Sequence, residues 1–487
     1  MTHDLGEHHQ QILRLMRVVP TKSAGSRPTY AALSRTARWC CSQMTRRYKN
    51  ERHGTRNPWY LFLFLLLAHA SLFMILTSWT RAEARAKDMR IRGHVCDPQA
   101  YGAKANGRTQ DTRALQAAID ACATQGGGIV RLSSGRFLTG PIVLRNHIRL
   151  EIERGATLLG SQRVSDYPVL PNENRRQSLI TSNGATEVAI VGAGTINGQG
   201  QPWWVVARAE DRAGRPEEPR PWLIEFYKTQ HILVEGVALQ DSPMYTLVLR
   251  SSRDATVRNI TILNPPHAPN TDGIDPISSR YVHISHVLID TGDDDISIKS
   301  GLPERGVSNA ACSDITIRDS TFLHGHGLSI GSETAGGVRN ILAENIRFRG
   351  TKDGIRIKSN RGRSNVIENI VYRNITMTNV ETAISISEYY PDWEISANDD
   401  AQKIEPHTPH FHDLSITHLT AKGSDQAGIL IGLPESPITG VTLKDVEIHA
   451  RIGLTIRSAS VHADGLSVVT EQGPPILEQH GAQLSGH

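Results

Sequence analysis

ILVEGVAL (232–239), ATVRNITI (255–262), VHISHVLI (282–289), ITIRDSTF (315–322), ILAENIRF (341–348), IVYRNITM (370–377), LSITHLTA (414–421) and VTLKDVEI (441–448) are one pattern written eight times. Positions 1, 3, 6 and 8 are apolar, and only Ser320 departs from the rule. Alternation within each half makes a short strand with one face inward, and the two central residues make a bend. Asn259, Asp319, Asn345, Asn374 and Asp445 fall in that bend, and Asn and Asp tolerate left-handed backbone there. The starts are 23, 27, 33, 26, 29, 44 and 27 residues apart, as in a solenoid whose insertions fall in loops on one side.

A second strand follows each of five repeats: DISIKS, LSIGS, IRIKS, AISIS and ILIG. Their first apolar residues lie 14, 13, 14, 14 and 15 residues after the repeat starts. Offsets this regular mean coils stacked in register, with equivalent residues about 4.8 Å apart. A stack of β-sandwiches has no reason to keep such a register. The expected fold is all-β, a single-stranded right-handed parallel β-helix from about 87 to 470. Only TRALQAAIDACAT (112–124) reads as a helix, stopped by Gly126-Gly127-Gly128.

The 487 residues divide sharply by charge. Residues 1–57 carry 11 Lys/Arg against 3 Asp/Glu, whereas residues 87–487 carry 40 against 45. A body that is mildly acidic argues against nucleic-acid binding. From Trp59 to Trp79 the chain has 21 residues without a formal charge, long enough to span a bilayer. Basic residues precede it, and Ala82-Glu83-Ala84 and Ala84-Arg85-Ala86 follow as sites for a signal peptidase. Residues 1–57 are therefore expected to be a basic cytoplasmic or n-region segment. Residues 58–86 read as a signal peptide or membrane anchor, and residues 87–487 as the exported, monomeric body. Its three cysteines, Cys96, Cys122 and Cys312, allow one disulfide, with Cys96–Cys122 the expected pair. No pair has metal-ligand spacing, so neither a metal nor a cofactor is expected.

Register also gathers charges. Setting Ile274, Ile296, Leu328 and Ile355 as zero puts Asp272, Asp294, His326 and Asp353 two places upstream. Asp293 lies beside Asp294, and Arg356 and Lys358 stand one and three places downstream on the last of these strands. Carboxylates a strand-spacing apart repel, which raises the affinity of one of them for a proton. That division of labour suits general acid–base chemistry. Asp-rich turns often only cap strands, and a lone histidine is usually structural; the conjunction in one column is what points to a site.

Those residues carry a resemblance. Asn270-Thr271-Asp272, Gly292-Asp293-Asp294, Gly325-His326-Gly327 and Arg356-Ile357-Lys358, in that order, resemble the four signature motifs of the polygalacturonases, glycoside hydrolase family 28. The segments 100–128 and 192–204 are also similar to that family. The resemblance implies inverting hydrolysis of α-1,4-linked galacturonic acid in pectin, with polygalacturonate as the partner molecule. It implies Asp293 as general acid, Asp272 and Asp294 as the pair activating water, and His326 in support. Arg356 and Lys358 would hold the substrate carboxylate, Asn270 would contact substrate, and Tyr390 would form part of a sugar-stacking wall with Tyr389. Asp295 departs from the pattern by adding a third acid, and Tyr245 stands where many relatives have Trp. Lys299, Arg361 and Arg363 are expected to extend a basic strip along a polyanionic chain. The 44-residue step between Ile370 and Leu414 is read as a wall beside the groove. Two other readings stay open: a calcium-dependent pectate lyase with Asp293, Asp294 and Asp295 around the ion, and a non-catalytic carbohydrate-binding solenoid.

Overall fold

The computed structural model of the protein describes residues 93–171, 173–303, 309–391 and 399–486. The expected leader and anchor, residues 1–57 and 58–86, lie outside the described residues. Among the described residues no helix is long and apolar enough to cross a membrane.

Among the described residues thirty strands join in one sheet that winds into a parallel β-helix. Each coil of the central region has three strands. One column is formed by Ile224–Tyr227, Leu247–Arg250, Ile274–Ile277, Ile296–Ile298, Leu328–Gly331, Asp353–Lys358 and Thr382–Ser387. The eight-residue pattern supplies the other two columns, as in Arg253–Arg258 followed by Thr261–Leu263. The register matches the sequence reading: Leu247, Ile274, Ile296, Leu328, Ile355 and Ile384 stack in one row. All six are essentially buried, and removing each such side chain from water stabilises the coil by about 1.5–3 kcal/mol.

One offset needs correcting. The row continues through Gly428 rather than Ile429, which pairs with Ser385 and points outward. Gly428 has a φ of +151°, and a Cβ there would sit 2.2 Å from the Ile384 carbonyl oxygen. The true offset from Leu414 is thus 14, like its neighbours. An apolar residue marked the wrong place because the inward position itself is glycine.

The bend in the pattern is as expected and more general. Its fifth residue has positive φ in all eight repeats, including Gly236, His286 and His418 as well as the five Asn and Asp residues. A second bend, just before each repeat, was not anticipated: His231, Asp254, Tyr281, Asp314, Asn340, Asn369, Asp413 and Gly440 also have positive φ.

Helix α1, Thr112–Thr124, coincides with the predicted helix and buries Leu115, Ala118, Ile119 and Cys122 against the first coils. Cys122 is bridged to Cys96, whose Cα is 6.1 Å away, and Cys312 is free and buried. A second helix, α2, Gln201–Arg212, was not expected. Pro202 opens it, Trp203, Trp204 and Ala207 are buried, and Trp204 Nε1 donates to the Ser242 carbonyl at 2.9 Å. The strands also run past 470, ending with Gln483–Gly486.

Candidate active site

The strand column from Ile274 to Lys358 presents its outward residues in rows. The row one place past zero holds Val248, Asp275, Ser297, Ser329, Arg356 and Ser385. The row two places further holds Ile277, Lys299, Gly331, Lys358 and Ser387. Gly331 matters there: it leaves a gap between two lysines, and its φ is +102°. A Cβ on it would lie 1.9 Å from the Lys358 carbonyl oxygen.

The acidic turn Gly292-Asp293-Asp294 enters the strand Ile296–Ile298, and the turn Gly325-His326-Gly327 enters the next one. His326 N–H donates to the Asp293 carbonyl at 2.9 Å, which locks the two turns together. Gly327 has a φ of +76°, and a Cβ on it would be 2.1 Å from the Asp353 carbonyl oxygen. The glycine therefore lets the histidine turn sit directly on the coil below.

Asp294 is the centre of the charge network. Lys358 Nζ donates to its Oδ2 at 2.9 Å and Arg356 Nη1 to its Oδ1 at 3.2 Å. Ser297 and Ser329 hydroxyls donate to it at 2.9 and 2.7 Å. Burial works to raise its proton affinity, but Lys358, Arg356 and His326 outweigh burial and hold the carboxyl well below the usual carboxylate range.

Asp293 and His326 face outward. Their side chains are 23% and 28% exposed, against 3% for Asp294 and 7% for Arg356 and Lys358. His326 Nδ1 is 3.2 Å from Asp293 Oδ1 and 4.0 Å from Asp294 Oδ1. Burial pushes Asp293 up, yet the histidine hydrogen bond, with Lys358 behind it, leaves the group below its ordinary value.

Asp272 is one coil earlier and differently placed. Lys299 Nζ donates to Asp272 Oδ2 at 2.9 Å and to Asp275 Oδ1 at 2.7 Å. The ammonium lies 4.0 Å from the Tyr245 ring centroid, and that ring stacks on Trp222 at 5.4 Å. Burial pushes Asp272 well above the carboxylate range against the pull of Lys299, with Asp275, Asp293 and Asp294 adding to the rise. Asp275 is pushed up to about 6, again by burial against Lys299.

The remaining candidates divide. The Tyr390 ring lies 5.3 Å from Lys358 Nζ and 5.9 Å from Arg356 Cζ, beside the cations as expected. Tyr389 instead donates its hydroxyl to Asp399, with Arg361 5.5 Å from its ring. Asn270, at a φ of +54°, accepts on its side-chain Oδ1 from Arg220 Nη2 at 2.6 Å. Arg220 also donates to the Pro243 and Pro269 carbonyls and so pins the loop ahead of Asp272.

The expected basic strip needs correcting. Lys299 is buried with two aspartates, and Arg361 bonds Glu435 at 2.6 Å and Asp399 at 3.0 Å. Cations next to unpaired acids are neutralised within the protein before any polymer arrives. Arg361 in this way ties the described end of the 44-residue step to the next coil; residues 392–398 of that step lie outside the described residues.

Asp275, Lys299 as a partner of Asp272, Ser297, Ser329 and Arg220 were missed by sequence reasoning. All but Arg220 stand one or three places past zero, so the arithmetic that found Arg356 and Lys358 would have found them on the preceding coils.

A calcium ion does not fit here. Donor atoms of Asp293, Asp294 and His326 lie within 4.8 Å of one another, but Asp294 is already engaged by two cations and two hydroxyls. Asp295 is turned inward, where its Oδ2 accepts from Gly327 N–H at 3.0 Å. Burial keeps that acid well above the usual range. Calcium takes six to eight oxygens, and this set offers it too few.

A sequence profile of glycosyl hydrolases family 28 matches residues 131–464. An endo-polygalacturonase of Pectobacterium carotovorum subsp. carotovorum is 31% identical, over 80% of this chain and 97% of its own. A probable polygalacturonase of Vitis vinifera is 31% identical over 80% of this chain and 83% of its own. Among solved structures, a polygalacturonase from Erwinia carotovora ssp. carotovora superposes with a TM-score of 0.65 at 29% identity, covering 76% of this chain and 97% of that one. With a matching fold, four motifs converging in one strand column and these relatives, the chain belongs to glycosyl hydrolases family 28.

Proposed function

We propose that the protein is a polygalacturonase that cleaves α-1,4 linkages between galacturonic acid units of pectin with inversion. The observation that carries this reading is the pair of buried cations, Arg356 and Lys358, set against Asp294 directly beside the half-buried, outward-facing Asp293–His326 couple. A sugar acid needs cations to grip its carboxylate and an acid next to its leaving oxygen.

In this reading Asp293 donates its proton to the leaving oxygen as the C1–O bond breaks. A water attacks C1 from the opposite face and loses its proton to Asp272, while the anion Asp294 helps orient it. The new C1–O bond has inverted configuration, Asp272 ends protonated and Asp293 ends ionised, so exchange with solvent resets both. Inverting carboxyls are separated by roughly 6.5–9.5 Å, which leaves room for the water.

Asp293 is held low in the free site, so it must gain affinity for its proton when substrate binds. The galacturonate carboxylate supplies this. Its charge offsets Lys358, one of the groups lowering Asp293, and so raises that acid's affinity for a proton. Tyr390, flanking the same cations, offers a ring face to the sugar.

The disulfide Cys96–Cys122 supports a body exported from the cytoplasm, since such bonds persist in oxidising compartments. The test is to incubate the protein with polygalacturonic acid and resolve products by size and ultraviolet absorbance. Rising reducing ends without an absorbing unsaturated end are expected. An unsaturated product would assign a lyase, and intact polymer with retained binding would assign a non-catalytic solenoid.

A further inference from the structure

Lys299 and Asp275 have no part in the mechanism above, yet they form a buried cluster with one of its members. Lys299 and Lys358 occupy the same row, two coils apart, with Gly331 between them. Each reaches back toward the start of the column to an aspartate of one equivalent row: Lys358 to Asp294 and Lys299 to Asp272. The two clamps differ in one respect. Lys358 shares Asp294 with Arg356, whereas Lys299 shares its charge between two carboxyls, Asp272 and Asp275.

We propose that Lys299 and Asp275 are positioning residues for the water-activating carboxylate. Lys299 orients Asp272 and supports its ionisation, whereas Asp275 draws on the same ammonium and opposes it. The inference rests on Asp272 accepting the proton of water.

Geometry supports the division. All three side chains are at most 6% exposed, so two anions beside one cation leave an uncompensated buried charge, which is costly. Among the described residues Asp275 Oδ2 is buried without a hydrogen-bond partner, so this acid depends on Lys299 as Asp272 does and competes for it. Lys299 itself is held in its charged form, since Asp272 and Asp275 outweigh the effect of burial. The other charged and titratable groups around Asp272 are Asp293 and Asp294 from the next coil, Arg220 from the preceding loop and the Tyr245 phenol; Glu333 acts on Lys299.

The signs of the two substitutions are opposite. Asp272 must be ionised to act, so activity falls as pH drops through its effective pKa. Lys299→Met removes the cation that lowers this pKa, and the acid limb of kcat/KM must move up. Asp275→Asn removes a neighbouring negative charge, and the limb must move down. Shifts of roughly one pH unit are the usual scale for one close charge.

The experiment measures pH profiles on polygalacturonate for wild type, Asp275→Asn, Lys299→Met and Asp272→Asn. Expected are opposite limb shifts, with KM for Asp275→Asn within about threefold of wild type and most of the change in kcat. Limbs that stay in place while activity drops uniformly would overturn the proposal and leave a structural role. If Lys299→Met does not fold, the Asp275→Asn limb decides alone: downward supports the proposal, unchanged or upward overturns it. Asp272→Asn separates the two levels. An active Asp272→Asn refutes Asp272 as base, and the proposal with it; an inactive one beside unshifted limbs refutes the proposal only.

Discussion

The bend column, chiefly Asn, Asp and His, and the active-site column, Asp and His, are both stacks of one polar residue per coil at the same spacing of about 4.8 Å. In the bend, Asn345 Nδ2 donates to Asp319 Oδ1 at 2.8 Å and Asn374 Nδ2 to Asn345 Oδ1 at 3.1 Å. Each amide offers a donor on one side and an acceptor on the other, so the ladder satisfies itself and titrates at none of its amide rungs. The site column stacks unlike groups: Asp272, Asp294, His326 and Asp353, each needing a partner from another row. Lys299, Lys358 and Arg356 provide them unequally. Equivalent aspartates thus end with opposite proton affinities, Asp294 low and Asp272 high. Register decides which residues meet; the partners reaching in from neighbouring rows decide their chemistry.

The largest effect should come from Asp293, beside the site column, whose side chain is half-buried and faces outward. Asp293→Asn keeps shape and the contact with His326 but cannot protonate the leaving oxygen. Turnover should fall by about 10²–10⁴, the usual scale of general acid catalysis, with little change in KM. Single-turnover rates on polygalacturonate check this. A variant keeping more than a tenth of wild-type turnover would refute the acid assignment and leave Asp293 no different in kind from a bend aspartate.

The cationic side of the site is next. Lys358→Ala removes a charge-assisted hydrogen bond worth roughly 1.5–3 kcal/mol to a bound carboxylate. Affinity for polygalacturonate should weaken about ten- to hundredfold. The loss should shrink on methyl-esterified pectin, which lacks the charge to be recognised. Because Lys358 also bonds Asp294, a purely structural role remains the competing account, and it makes a different forecast: equal losses on both substrates.

How much of this was legible follows from the same contrast. The fold could be read because inward isoleucines recur at fixed offsets, and the catalytic column because Asp272, Asp294 and His326 share one offset from them. The second bend carries the same chemistry as the first, in Asp254, Asp314, Asn340, Asn369 and Asp413, but it stands one place before each repeat and so outside the eight-residue frame. Helix α2 was hidden by its adjacent Trp203 and Trp204 and by the charges at its end, which blur the helical period that marks α1. Lys299 and Asp275 were readable in principle. Lys299 looked like a surface cation because sequence shows the row a residue occupies, not whether the neighbouring row carries an acid to bury it. Asp295 poses the same difficulty, one residue from a catalytic pair yet turned inward onto Gly327 N–H.

The smallest effect tests the bend column as pure structure. Asn345→Asp preserves the side-chain size and a residue type that tolerates the φ of +57° found there. It replaces the amide donor with a carboxylate facing Asp319, so one rung changes from a hydrogen bond to a like-charge contact. Two unit charges about 4 Å apart in a mostly aqueous setting repel by about 1 kcal/mol, and a lost exposed hydrogen bond adds a comparable or smaller amount. The rung toward Asn374 survives, because a carboxylate still accepts its amide. Stability by denaturant titration should therefore drop by about 1–2 kcal/mol at neutral pH, and the repulsive part should disappear below about pH 3, where both carboxyls take up protons. Added salt should recover some of it as well. Turnover on polygalacturonate should not move, since this column faces away from the residues that clamp the sugar acid. A loss of activity at unchanged stability would mean that the two columns are coupled through the coil and that the division between scaffold and site is drawn in the wrong place.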